Sequence, residues 1–119
     1  MDTRDKILSS CEDLALLGGA GIVVTGHFDP LLAAHAVRLR ELAAEGQPLV
    51  VVITEPAVPL LPARARAEMV AGLAMVDHVI VATDASGVPA SWQVYHEEEA
   101  DSARTSNLIR HVHLRQSAG

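Results

Sequence analysis

Two runs in which every residue is apolar, Ile22-Val23-Val24 and Leu49-Val50-Val51-Val52-Ile53, set the frame of the chain. Stretches rich in β-branched residues without polar alternation predict strands covered on both faces, as in a parallel sheet between layers. With their flanks they span residues 21–25 and 49–54. Residues 76–82 predict a third strand, and residues 92–96 a fourth at the sheet edge, because Trp92, Val94 and His96 alternate with Gln93 and Tyr95. Between these runs the period becomes helical. In residues 31–45, Leu32, Ala36, Leu39 and Ala43 share a stripe while Arg38, Glu41 and Glu45 lie opposite. A second helix starts at Pro62 and runs to about residue 75, with Met69, Val70 and Leu73 inward. Ile7, Leu8, Cys11, Leu14 and Ala15 at helical spacing predict a leading helix over residues 3–17, stopped by Gly18-Gly19. A last helix, capped by Asp101 or Ser102, turns Leu108, Ile109 and Val112 inward.

Helices alternating with strands imply a parallel sheet joined by right-handed crossovers, with ligands bound beyond the carboxyl ends of the strands. The residues just after Thr25, Thr54 and Ala82 are therefore the ones to inspect. Residues 55–62 hold three prolines in eight positions and form a stiff loop rather than a regular element.

Composition narrows the picture. The 119 residues fit one domain, residues 1–119, and with 50% hydrophobic but only 3% aromatic residues its core is built from Ala, Val, Leu and Ile. A net charge of -6 with a single lysine, Lys6, excludes the broad basic surface of a sequence-independent nucleic-acid binder. Cys11 has no second cysteine to pair with, which fits a reducing compartment. The first residues lack a secretion signal, and no apolar run approaches the ~20 residues of a membrane span. A cytoplasmic protein without membrane contact is expected.

The chemistry concentrates where the first apolar run meets the first crossover helix. Gly26-His27-Phe28-Asp29-Pro30, followed by His35, sets two imidazoles and a glycine turn at a helix N-terminus, a natural place for phosphate. This stretch resembles the signature of the HIGH-motif nucleotidyltransferases, G-x-F-D-x-x-H-x-G-H. Gly26, Phe28, Asp29 and His35 match it; Leu32 stands where the family has His or Thr, and Ala34 where it has Gly. Arg66-Ala67-Glu68-Met69-Val70, leading into Val76-Asp77-His78-Val79, is similar to the adenylyltransferase domain of ADP-heptose synthase and to the small cytidylyltransferases. Arg104-Thr105-Ser106 falls where the family opens a Ser/Thr-rich helix that holds triphosphate, and those residue types at a helix N-terminus suit an anion without any family argument.

The resemblance implies a Rossmann-like three-layer α/β fold with a mainly parallel sheet of about four strands. It also implies binding of ATP or CTP with Mg²⁺ and nucleotidyl transfer to a small phosphorylated acceptor such as a sugar phosphate, releasing pyrophosphate. His35 would stabilise the transferring phosphates, and His27 would stand in for the imidazole absent at position 32. Gly26, Phe28, Asp29, Arg66, Arg104, Thr105 and Ser106 would help bind the nucleotide. Each has a plainer reading: His35 and Asp29 as parts of the helix start, His27 as a turn residue, Arg64 and Arg66 as solvated arginines. The family's loop lysine is absent from residues 55–62, and the interval before the last helix is short, so a homodimer partner is one way to complete the acceptor pocket. The competing expectation is a catalytically impaired nucleotide-binding or protein-interaction domain of the same fold. No resident metal site is expected: His111 and His113 face apart on a helix, and Glu97-Glu98-Glu99 reads as a solvated turn.

Overall fold

The computed structural model describes residues 3–17, 19–29, 31–44 and 46–100. Its strands are β1 (Ile7–Leu8), β2 (Ile22–Gly26), β3 (Leu49–Ile53), β4 (His78–Val81) and β5 (Gln93–His96). Two α-helices join the central strands, α1 (Ala33–Ala43) and α2 (Ala63–Ala71). All strand pairs are parallel, in the order β1-β4-β3-β2-β5. The fold is α/β and Rossmann-like, with five strands where about four were expected.

Every residue of β2 and β3 is buried. Ile22, Val24, Leu49, Val51 and Ile53 pack with Leu39 and Leu42 of α1 and with Ala67, Val70 and Ala71 of α2. The intervening Val23, Val50 and Val52 pack with Cys11, Leu14, Ile80 and Trp92 on the opposite face. Two covered faces are why these strands read as unbroken apolar runs. Gly21 lets the second layer close: a Cβ there would lie 2.4 Å from the Trp92 ring.

The leading helix does not form as expected. Residues 3–17 divide into a 3₁₀ turn (Thr3–Lys6), strand β1 and a second 3₁₀ segment (Cys11–Leu17). Ile7 packs against the α-helical core and Leu8 against the opposite one, an alternation that a strand provides and a helix does not. The edge of β4 supplies backbone partners, pairing Ile7 with Val79 and Leu8 with Ile80. Asp13 then restarts the chain, its carboxylate accepting the Ser10 N–H at 3.2 Å.

From β2 the chain steps to β3 and β4 on one side, then returns to place β5 on the other side of β2. The reversal lies between β2 and β5. In open sheets of this kind, the carboxyl ends at such a reversal are where ligands sit.

Candidate functional site at the carboxyl ends of the strands

Beyond Gly26, the last residue of β2, the chain turns sharply. Phe28 takes a left-handed φ of +49°, uncommon for a residue with a side chain. Its buried ring packs on His35, the centroids 5.0 Å apart at a tilted 51°.

His35 is the third residue of α1 and is only 1% exposed. Its Nδ1 accepts the Leu32 N–H at 2.8 Å, which places the ring proton of the neutral form on Nε2. This is half of a capping box. The reciprocal half is missing because the N-cap residue is Leu32, whose side chain has no acceptor for the helix N–H groups.

Asp29 does not cap α1 in the manner of an N-cap side chain. It binds the proline-rich loop, taking the N–H of Leu60 at 2.5 Å and of Leu61 at 2.8 Å. Arg66 is not the solvated arginine of the plainer reading. Its side chain is 0% exposed and turned inward, where Nε donates to the Leu61 carbonyl at 3.1 Å. Nη1 donates to the carbonyls of His27 and Thr54, each at 3.0 Å, and Nη2 pairs with the Glu55 carboxylate. In this state the guanidinium holds the β2–α1 turn, the end of β3 and the loop together; it is not presented as a solvated arginine or an open phosphate contact. The hydrogen-bonding capacity of an arginine suits this task, since carbonyls from three segments converge on one planar fork.

His27 lies half-buried at the same place, with Nδ1 3.2 Å from the Thr54 carbonyl and 3.3 Å from its hydroxyl. The structure therefore gathers Gly26, His27, Phe28, Asp29, His35 and Arg66 around one turn. Arg104, Thr105 and Ser106 lie outside the described residues.

The site holds four residues that the sequence reading did not assign to it. Thr25 and Thr54 both send their hydroxyls to Glu98, and His96 meets Thr25 from the end of β5. A threonine closing each of two apolar runs was the available signal. Glu98, expected in a solvated turn, instead bridges two strand ends. Its neighbour Glu97 pairs with Arg38, whose guanidinium also lies 5.9 Å from the centre of the Tyr95 ring. The bond from Glu97 raises the Arg38 pKa further, so this cation persists at any ordinary pH.

The profile described as cytidylyltransferase-like matches residues 23–113, from the start of this strand-to-turn unit through the segment containing Arg104, Thr105 and Ser106. The chain belongs to the cytidylyltransferase-like family. This supports membership of the nucleotidyltransferase superfamily and agrees with the parallel sheet. No curated protein matches the sequence. Among the described residues of the cytidylyltransferase-like domain, no helix is long and apolar enough to cross a membrane, and no group of three or more His, Cys, Asp or Glu side chains could hold a metal ion.

Proposed function

We propose that this cytidylyltransferase-like domain binds ATP or CTP at the β2–α1 turn and transfers the nucleotidyl group to a small phosphorylated acceptor of the sugar-phosphate type. An acceptor phosphate oxygen would attack the α-phosphorus as the bond to the β-phosphate oxygen breaks, releasing pyrophosphate. The carrying observation is the placement of His27 and His35 on one turn, beside the reversal of strand order, in a chain of this family.

The protein's part in such a transfer is placement and stabilisation of charge on phosphate oxygens. His27 and His35 are assigned to the transferring phosphates, and the segment with Arg104, Thr105 and Ser106 to the triphosphate. His35 is directed by its bond from Leu32 N–H, so Nε2 is the ring atom with a proton to donate; the ring is buried in this state, and reaching a phosphate requires the turn to move. Mg²⁺ enters with the nucleotide as part of the substrate, in keeping with a cation held mainly by substrate phosphates.

Thermal-shift measurements with ATP, CTP and Mg²⁺ test the binding step, where a ligand at 100 times its Kd should stabilise by ~2.7 kcal/mol. Pyrophosphate release across a panel of sugar and alditol phosphates tests transfer. His27→Ala should weaken nucleotide affinity or turnover, and an unchanged value would remove His27 from the site. Nucleotide binding without turnover on any acceptor would overturn the transfer assignment.

A further inference from the structure

The bonds around Glu98 form a continuous chain. One carboxylate oxygen accepts from Thr25 Oγ1 at 2.7 Å and the other from Thr54 Oγ1 at 3.0 Å. A threonine hydroxyl has a single proton, and here the carboxylate takes it. Each hydroxyl oxygen is then left to accept, and an imidazole Nδ1 stands beside each: His96 at 2.8 Å from Thr25 and His27 at 3.3 Å from Thr54. The order is His96, Thr25, Glu98, Thr54, His27, spanning the ends of β5, β2 and β3 and the turn.

The two hydroxyls belong to nearly inaccessible residues, Thr25 at 1% and Thr54 at 5% exposure. At the rim, the side chains of Glu98 and His96 are 30% and 68% exposed. Two buried O–H donors thus converge from neighbouring strands on the two oxygens of one anionic group, with imidazoles behind them, at the reversal point between β2 and β5. That is a cradle for an oxyanion, and its occupant comes from the segment just after β5. A phosphate offers the same acceptor oxygens but cannot share the cradle with a carboxylate, because like charges at hydrogen-bond distance repel.

We propose that Thr25 and Thr54 form a binding site for a phosphate group of the ligand, which Glu98 fills as an internal stand-in until a phosphate displaces it. The assignment deepens the nucleotide reading by locating one phosphate, and rests on that reading for the ligand's identity. Glu98 is then a competitor within the chain, and the affinity measured for any phosphate ligand is reduced by the fraction of molecules in which it holds the cradle.

The test is calorimetric titration of the full chain and three variants, Glu98→Ala, Thr25→Val and the double variant, with inorganic pyrophosphate, ATP and CTP. Melting curves for each variant establish that it is folded. Glu98→Ala is expected to bind pyrophosphate and nucleotide about tenfold more tightly, as when a stand-in present in nine molecules of ten is removed. Adding Thr25→Val should cancel that gain. If the double variant keeps the gain, only the loss of a negative charge was at work, and the cradle is refuted. Nucleotide binding of equal strength in the parent and in Glu98→Ala refutes the cradle while leaving the nucleotide reading intact. Tighter pyrophosphate binding by Glu98→Ala, cancelled by Thr25→Val but without any nucleotide binding, upholds the cradle and overturns the nucleotide. No binding of any probe to any form overturns both.

Discussion

Replacing Arg66 by methionine separates a structural arginine from a ligand-binding one. The substitution keeps much of the buried stem but takes the arginine donor from the carbonyls of His27, Thr54 and Leu61, leaving that of Thr54 only His27 Nδ1 at 3.2 Å. The ion pair with Glu55 contributes little, because the glutamate side chain is 57% exposed and water screens it. The carbonyls decide the outcome: an acceptor left unsatisfied costs ~1–3 kcal/mol where it is buried, and of the three bonds the one to Thr54 is buried while those to His27 and Leu61 are part-buried. A loss of about 3 kcal/mol is a substantial part of the ~5–15 kcal/mol that holds a domain folded. At roughly 3–5 °C per kcal/mol for a chain of this length, Arg66→Met should lower Tm by about 10 °C. Arg66→Lys should fall between, since a single ammonium cannot reproduce the planar fork. Urea unfolding followed by circular dichroism, alongside nucleotide titration at a temperature where both forms are folded, checks this. If Arg66→Met melts within about 2 °C of the parent and loses nucleotide affinity instead, the structural role is wrong.

Three further expectations rest on separate contacts. Gly21→Ala drives a methyl group into the Trp92 ring, and should cost ~1–3 kcal/mol and shift the emission of the only tryptophan; unchanged melting and fluorescence would show that the ring moves aside without cost. Leu32→Ser supplies the missing N-cap acceptor, and since Leu32 belongs to neither buried cluster it should gain about 1 kcal/mol, read as a higher Tm. The Cys11 thiol pKa is raised by burial first and then by the charges of Glu12 and Asp84, so the folded chain holds this proton more tightly than the unfolded one. Its stability contribution is therefore intact below about pH 8.5 and declines as pH rises past that value; Cys11→Ala should flatten this part of the stability profile, and alkylation of the native thiol should be slow.

The sheet was legible because β2 and β3 are covered on both faces, with Thr25 the one polar side chain in them. The first segment was not, since Ile7, Leu8, Cys11 and Leu14 satisfy a helical stripe on paper while Ile7 and Leu8 serve two different cores in space. In the site, the turn carrying His27 and His35 followed from local spacing. The inward fate of Arg66 did not, because it depends on carbonyls of residues 27, 54 and 61 arriving together. Glu98 was equally hidden: its hydroxyl partners lie 73 and 44 residues away in sequence, and nothing in three successive glutamates marks the middle one.

The bonds that tie residues 55–62 to the rest of the molecule decide how that loop can act. Asp29 takes the N–H groups of Leu60 and Leu61, while Arg66 takes the Leu61 carbonyl and, beside it, the carbonyl of His27. The loop and the β2–α1 turn are therefore coupled, with prolines stiffening the loop. A displacement of one pulls on the other. Altering what the pair accepts by design would mean exchanging the turn, the loop and their shared arginine as one piece.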